Sequence, residues 1–215
     1  MAAPKTSSGL YLVVETGEGA RERLAAALSA GPAEAVLIRP SKDASGDLEA
    51  VRGLVETAQR LGCAALIQDD SRMARTLRAD GVHLTWDADI GKRYAEARDV
   101  LGTRYIVGAM AGASRHDAME LAEAGADYVG FDLDDGTGGD DAARMLRLER
   151  VGWWAEIFEV PCVAFDARDV ADAHELRRAG ADFVGLHLRS GSSPAAASDL
   201  MRALMSGGGA GREGT

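Results

Sequence analysis

The sequence predicts a (β/α)8 TIM barrel, and three observations lead to this fold. The first is a phrase, Ala-Gly-Ala-Asp-aromatic-Val-Gly, that occurs twice, with a weaker copy earlier in the chain; its aspartates are Asp80, Asp127 and Asp182. In each copy a helical pattern ends, a small or turn residue follows and a short apolar run begins, which is typical of an αβ junction. The aspartates are spaced by about two βα units each, for units of roughly 25 residues or more.

The second observation is strict alternation of eight strand candidates with eight helix candidates. Each strand candidate is short and apolar on both faces, as a covered parallel sheet requires. Such alternation gives either a closed barrel or an open doubly wound sheet. The third observation favours the barrel, because no Gly-x-Gly-x-x-Gly follows the first strand and eight units fit the length of the chain. The strand candidates are Leu10–Val14, Ala35–Arg39, Ala64–Gln68, Gly81–Leu84, Arg104–Gly108, Asp127–Phe131, Cys162–Phe165 and Asp182–Leu188.

The helices are read from apolar residues at helical spacing and from their stop signals. The clearest lies between strands two and three, where the pattern runs from Leu48 to Leu61 and Gly62 ends it. Between strands five and six, Ser114 is the predicted N-cap and Gly125 the predicted stop. Each of these helices would cover one face of the barrel wall.

Composition narrows the classes of function. The 215 residues carry a formal net charge of −10, and 47% of them are apolar. An acidic chain is a poor partner for nucleic acid or for an anionic membrane, whose phosphates attract basic patches. No apolar run reaches the length of a membrane span, and residues 1–9 lack the apolar core of a signal peptide. We therefore expect a cytoplasmic protein that binds a small molecule, with a homodimer as its candidate assembly.

The predicted domain organisation has three parts. Residues 1–9 form a flexible N-terminus, residues 10–205 form a single barrel domain, and residues 206–215 form a disordered, glycine-rich tail. The tail holds too few apolar residues to order itself by burial. The barrel domain is long enough to bury a sizeable core.

Carboxylates dominate the positions where strands end and βα loops begin, which is where barrel enzymes place their chemistry. Clustered carboxylates raise one another's pKa or bind a divalent cation, or they cap the helices that follow. For Asp69 and Asp70 both interpretations stay open. The side chains at these positions include Glu15, Arg39, Asp69, Asp70, His83, Asp87, Asp89, Met110, Asp132, Asp166, His187 and Arg189.

Two histidines are candidate catalytic groups. His83 ends the fourth strand, where it either acts as a general base or packs into the barrel rim. His116 lies in a predicted loop or first helical turn, where it is either a catalytic group or a surface residue. An imidazole or carboxyl group tuned toward neutral pH would support a tautomerase or isomerase reaction.

The stretch after strand eight is the candidate phosphate site. Ser190-Gly191-Ser192-Ser193-Pro194 opens a helix, and backbone N–H groups in such a loop can bind an anion. Barrels commonly hold phosphate after strands seven and eight, and Arg189 would add positive charge. Simple helix capping explains the same residues, so both interpretations stay open; the binding candidates here are Ser190 and Ser192. Thr137, in the glycine-rich stretch after strand six, is a further phosphate-binding candidate.

Four phrases share their order and spacing with one known family. They are Leu10-Tyr11-Leu12-Val13, Ala79-Asp80-Gly81-Val82-His83-Leu84, Ile106-Val107-Gly108 and Gly125-Ala126-Asp127-Tyr128-Val129-Gly130. They resemble thiamine-phosphate synthase, within a wider group that includes the thiazole tautomerases of the TenI type. The resemblance extends from about Leu10 to Leu188.

The resemblance implies a transferase that joins a pyrimidine diphosphate to a thiazole phosphate, with Mg2+ holding the departing pyrophosphate. By the same resemblance Arg39 contacts phosphate and takes part in catalysis, and Asp70 is the first magnesium ligand. The second metal aspartate of the family's pattern falls at Ala88. The flanking residues Asp87 and Asp89 are its candidate substitutes.

The family's pattern is broken at several site positions. Leu37 stands where a glutamine is expected, Met110 where a serine is expected, and Asp166-Ala167 replaces a Gly-Gly pair after strand seven. Loss of one electrostatic contact in an active site typically costs about 3 kcal/mol. We therefore favour a diverged barrel that lacks standard synthase activity and binds a small ligand, phosphorylated or not. The alternatives are an active, Mg2+-dependent synthase of thiamine biosynthesis and a tautomerase or isomerase with His or Asp acid–base groups.

Overall fold

Eight parallel strands close into a barrel in the computed structural model, which describes residues 8–41, 48–133 and 139–206. Each strand pairs with the next one in chain order, and the last pairs with the first. The predicted (β/α)8 barrel is thereby confirmed. The strands are β1 (Gly9–Glu15), β2 (Ala35–Arg39), β3 (Ala64–Gln68), β4 (Gly81–Leu84), β5 (Ile106–Met110), β6 (Tyr128–Phe131), β7 (Cys162–Ala164) and β8 (Phe183–Leu188).

Within the described ranges, eight helices surround the barrel and alternate with the strands. Their caps follow the sequence signals, since the Ser114 hydroxyl accepts from His116 N–H and Gly62 has a positive φ of 76° just beyond a helix end. The helices are α1 (Ala20–Ala30), α2 (Leu48–Arg60), α3 (Ser71–Leu77), α4 (Ile90–Leu101), α5 (Arg115–Glu123), α6 (Gly139–Ile157), α7 (Val170–Ala179) and α8 (Pro194–Ser206). None of the helices in the described ranges has the length and apolar character to cross a membrane.

Strand five is the one strand whose predicted bounds were wrong by more than a residue. It was predicted from Arg104 but begins at Ile106, which pairs with Gly81 of β4. Arg104 is exposed and lies in the turn before the strand. The apolar run therefore extends two residues further toward the mouth than expected and ends at Met110, which is buried.

The repeated aspartates stabilise the amino end of the barrel through hydrogen bonds to backbone N–H groups. Each stands directly before an even-numbered strand, and its carboxylate accepts a hydrogen bond from a backbone N–H at the start of the preceding odd-numbered strand. A glutamate before β2 makes the fourth bond of this kind. The four carboxylates and the residues whose N–H they bind are Glu34 and Leu10 (2.6 Å), Asp80 and Ala65 (2.8 Å), Asp127 and Val107 (2.7 Å), and Asp182 and Cys162 (2.9 Å).

The glycines that end the two full copies of the phrase make room inside the barrel. A β-carbon on Gly130 of β6 or on Gly185 of β8 would lie 2.9 Å from ring atoms of Phe165, which follows β7 between them. The repeated phrase therefore has a structural role: its aspartate binds the start of the preceding strand, and its glycine leaves room for the ring of Phe165 beside the neighbouring strand β7. The barrel interior is filled by Tyr11, Val13, Ala35, Leu37, Leu66, Met110, Tyr128, Val163 and Phe165.

Candidate functional site

Four polar side chains at the carboxyl end of the barrel each hold a buried nitrogen or oxygen with no hydrogen-bond partner in the described ranges. They come from the ends of β2, β3, β4 and β8, and we call them the mouth floor: Arg39 (Nε), Gln68 (Oε1), His83 (Nε2) and His187 (Nε2). Buried polar atoms are nearly always hydrogen-bonded to protein, water or a ligand, so these atoms need an explanation. Four more atoms of this kind lie elsewhere in the described ranges, on Ser8, Arg23, Arg147 and Arg177. The four at the mouth are distinguished by lying together at one end of the barrel, which also needs an explanation. A bound polar ligand would provide one.

His83 is fully buried and belongs to a chain of hydrogen bonds inside the barrel. Its Nδ1 lies 2.8 Å from the Tyr128 hydroxyl, which lies 2.7 Å from the Tyr11 hydroxyl. Burial lowers the pKa of His83 to about 3, against an opposing effect of the Asp69 charge. The imidazole is therefore neutral at pH 7 and is a weak proton acceptor, so this geometry favours hydrogen bonding to a ligand over general-base work.

Asp166 and His187 form a close pair that the sequence analysis did not connect. His187 Nε2 lies 2.5 Å from Asp166 Oδ1, but the two groups are not aligned as a hydrogen bond. Burial would raise the pKa of Asp166, but contact with His187 and the charges of Arg39 and Arg147 hold it below its usual value. The carboxylate is therefore charged at neutral pH.

Asp166 has a backbone conformation that suits glycine better than aspartate. Its φ is 59°, in the left-handed region that residues other than glycine rarely adopt. Asp166 and His187 line a cleft of about 520 Å³ between the loops after β7 and β8 and helix α8. Arg189 and Ser192 lie on the same cleft. This is the region where barrels commonly bind phosphate.

The loop hydroxyl groups after β8 are engaged in local hydrogen bonds. Ser192 Oγ donates to the Arg189 carbonyl at 2.7 Å, and Ser190 Oγ lies 3.3 Å from Glu15 Oε2. Ser193 Oγ accepts from Ala196 N–H at 3.2 Å, so it caps α8 in the way the capping interpretation predicts. Ser190, Ser192 and Arg189 still border the mouth, and their phosphate-binding role stays a prediction. Thr137 lies outside the described residues.

The three predicted magnesium ligands do not converge. The Asp70 carboxylate accepts Met73 N–H at 2.7 Å and caps α3, while Asp89 stands exposed at the start of α4. Asp87 Oδ2 is 2.5 Å from Nη1 of Arg93, whose Nη2 is 2.6 Å from Oδ1 of Asp69. Asp69, and not the predicted magnesium ligand Asp70, is therefore the carboxylate after β3 that is linked through Arg93 to the loop after β4.

The three predicted carboxylates do not form a preassembled magnesium site. Mg2+ prefers near-octahedral oxygen ligands, usually one or two carboxylates together with waters and substrate phosphates. Within the described ranges, no group of three or more His, Cys, Asp or Glu side chains is placed to hold a metal. Asp70 is committed to a helix cap and Asp87 to a guanidinium group, whereas the side chain of the exposed Asp89 makes no cap hydrogen bond.

His116 lies at the edge of the structure rather than on the mouth floor. It is in the first turn of α5, its side chain is 72% exposed, and its Nε2 lies 3.2 Å from Glu120. A catalytic role for His116 stays a prediction, and the surface interpretation accounts for its contacts. Two site residues were missed in the sequence: Gln68, which alternation from the inward-facing Leu66 points to the barrel interior, and Arg93, one turn into α4.

The family model and the similar sequences identify the same family. A family model described as thiamine monophosphate synthase matches residues 10–187. A protein of Erythrobacter litoralis named thiamine-phosphate synthase is 37% identical over 195 residues, covering 86% of this chain and 89% of that protein. One of Rhodospirillum centenum with the same name is 37% identical over 186 residues, covering 84% and 88%. Thiamine phosphate pyrophosphorylase from Pyrococcus furiosus shares the fold, with a TM-score of 0.71, 23% identity and coverage of 92% and 94%.

Proposed function

The chain belongs to the thiamine monophosphate synthase family, and we propose that its barrel mouth binds a small phosphorylated ligand without carrying out the standard synthase reaction. The observation that carries the proposal is the mouth floor. Arg39 presents a buried Nε without a hydrogen-bond partner in the described ranges, and Gln68, His83 and His187 each hold one buried atom in the same state. A phosphate oxygen at this place would accept from the guanidinium in a charge-assisted hydrogen bond.

Contacts among the mouth residues reduce the negative charge that an anionic ligand would meet. Asp166 is paired with His187, and Asp69 and Asp87 are both paired with Arg93. Arg93 therefore offsets one of the two negative charges of Asp69 and Asp87 and leaves a net charge of −1 there. Arg39 is left without an ion pair in the described ranges, and its positive charge is available to a ligand.

The residues found at the mouth support the loss of the standard reaction. That reaction depends on groups that stabilise charge developing on a departing pyrophosphate, and each is typically worth about 3 kcal/mol. Met110 is buried where the family's pattern has a serine, and Asp166 stands where it has a glycine. No group of three or more His, Cys, Asp or Glu side chains is placed to hold a metal in the described ranges.

The second candidate is an active thiamine-phosphate synthase. It is favoured by the names of the relatives, which are 37% identical to this chain over most of both lengths. Arg39 would then contact substrate phosphate, with Arg189 and the loop after β8 on a second phosphate. The comparisons support this candidate better than they support a diverged protein, whereas the side-chain geometry supports the diverged one.

The third candidate, a tautomerase or isomerase, gains one observation. Asp166 and His187 form an acid–base pair in a cleft, and such a pair can move a proton within a ligand. Neither His83 nor His116, the histidines expected for this work, has a comparable carboxylate partner in a cleft.

Binding and turnover should be measured on the same protein. We expect calorimetry to show binding of the thiazole phosphate, and we expect Arg39→Ala to weaken it about tenfold or more, because a hydrogen bond to a charged group contributes about 1.5–3 kcal/mol. Arg104→Ala is the matched control, since Arg104 is exposed in the turn before β5, at the opposite end of the barrel. We expect no thiamine phosphate from the pyrimidine diphosphate, the thiazole phosphate and Mg2+ at high protein concentration.

Two results would reject the proposal in different ways. Product formation that disappears in Arg39→Ala would establish the second candidate and show that the rebuilt mouth keeps the family's chemistry. Absence of binding to a folded wild-type protein, or equal binding by Arg39→Ala, would remove the mouth floor as a phosphate site.

A further inference from the structure

Arg93 ties together two loops of the barrel mouth. Asp69 follows β3 and Asp87 follows β4, and the guanidinium contacts one oxygen of each at 2.6 and 2.5 Å. Nη1 also donates to the Thr85 carbonyl at 2.9 Å, so both of its protons are engaged. The resemblance takes its two magnesium aspartates from these same two loops. A fixed organic cation thus stands between the loops that would otherwise share a metal ion.

We infer that the Arg93 guanidinium takes the place of the divalent cation, so that the mouth binds a monophosphorylated ligand without Mg2+ rather than a metal-bound diphosphate. The inference rests on the proposed function of the mouth and names its ligand class. A guanidinium group is planar and permanently charged, and it binds carboxylates through fixed pairs of donors. It can hold the loops together at all ordinary pH values.

The loop after β3 is built around this contact. Besides Arg93, Asp69 accepts hydrogen bonds from the backbone N–H and the hydroxyl of Thr85 at 2.8 and 2.7 Å. Its backbone has a φ of 56°, in the left-handed region. The neighbouring Asp70 cannot turn toward a metal without giving up the cap of α3. Three hydrogen bonds, all accepted by the carboxylate of Asp69, therefore fix it to protein groups.

Charge explains the preference for a single phosphate. Two carboxylates and one guanidinium leave this cluster with a net charge of −1, whereas a bound divalent cation would leave it neutral. A diphosphate carries more negative charge than a monophosphate and would meet that residual charge without a metal to offset it. Arg39, on the mouth floor, supplies one permanent cation, which suits one phosphate group.

The metal part of the inference can be tested without any organic ligand. Mn2+ would be titrated into the full chain and followed by electron paramagnetic resonance, and melting would be recorded with Mg2+ and with EDTA. We expect no saturable Mn2+ binding by the wild type and no change in its Tm. Arg93→Gln should melt several degrees lower in EDTA and regain part of the loss with Mg2+, because it leaves two adjacent carboxylates without a cation. Lys92→Gln is the matched control, on the same helix and 75% exposed.

The ligand part uses calorimetry with the thiazole phosphate and the pyrimidine diphosphate, each with and without Mg2+. We expect the monophosphate to bind equally well in both conditions and the diphosphate to bind at least tenfold more weakly. One equivalent of Mn2+ bound by the wild type and lost in Asp87→Asn would overturn the inference, as would an Arg93→Gln variant that Mg2+ does not restore. Binding that requires Mg2+ would overturn it and leave the proposed function intact. No binding in any condition would instead reject the proposed function.

Discussion

The histidine inside the barrel is held neutral by its surroundings, and this has a measurable consequence for stability. His83 has no solvent exposure, and burial lowers its pKa from 6.5 to about 3. Between these two values the unfolded chain takes up a proton that the folded chain does not. Above about pH 6.5 His83 is neutral in both states and does not reduce stability. As the pH falls from 6.5 toward 3, the free energy of unfolding decreases, because only the unfolded chain gains the proton.

We expect His83→Gln to flatten the acid side of the stability profile. One group of this kind changes the free energy of unfolding by up to about 1.4 kcal/mol per pH unit. Urea unfolding between pH 7 and pH 4 should show a shallower fall in the variant than in the wild type. His116→Gln is the control, because that side chain is 72% exposed and should leave the slope unchanged. Parallel slopes for wild type and His83→Gln would show that carboxylates alone cause the acid sensitivity.

Arg147 is a second buried residue whose role becomes clear only from its partners. It is fully buried in α6, donates to the Phe165 carbonyl, and pairs with Asp172 of α7 at 2.7 Å. It thereby fixes the residue directly before Asp166, where the backbone turns left-handed. We regard Arg147 as a positioning residue for the loop after β7, since a buried charge is retained only where its partners are well placed.

At the scale of elements, the repeated phrase links neighbouring strands in pairs through side-chain-to-backbone hydrogen bonds. Acidic side chains before β2, β4, β6 and β8 bind the first N–H groups of β1, β3, β5 and β7. The sequence predicted the junctions, because a helix stop followed by an apolar run is a local signal. It did not predict the bonds, because the donor lies about 15 to 24 residues from the acceptor and nothing local marks it.

We expect Asp80→Ala to destabilise the barrel by about 1–3 kcal/mol, because it leaves the N–H of the buried Ala65 without a partner. Asp80→Asn keeps an oxygen acceptor and should cost less. Asp99→Ala, on the exposed face of α4, is the charge-matched control and should change little. The comparison needs only urea midpoints with a common m-value. Equal effects of Asp80→Ala and Asp99→Ala would mean that the repeated aspartate does not fasten the strand.

For the whole molecule, the fold could be predicted and the site only in part. Eight apolar runs separated by helical patterns leave few arrangements, and seven of the eight strands lie within one residue of their predicted bounds. The candidate site depends on which partner each polar side chain finds. Adjacent carboxylates such as Asp69 and Asp70 look alike in sequence, yet one bridges to Arg93 and the other caps a helix.

The domain limits, predicted as 10–205, can be tested by two truncations of the full chain. Removing residues 207–215 should leave the Tm unchanged, because α8 ends at Ser206 and its buried contacts precede that point. Removing residues 194–215 should prevent stable folding, since α8 buries Met201 and Leu204 beside α1 and Ser198 Oγ donates to the Ala26 carbonyl. Burial of two such side chains contributes roughly 3–6 kcal/mol, against total stabilities of about 5–15 kcal/mol. A lowered Tm in the shorter deletion would extend the domain into the glycine-rich segment, and a stably folded longer deletion would show that the barrel closes without its last helix.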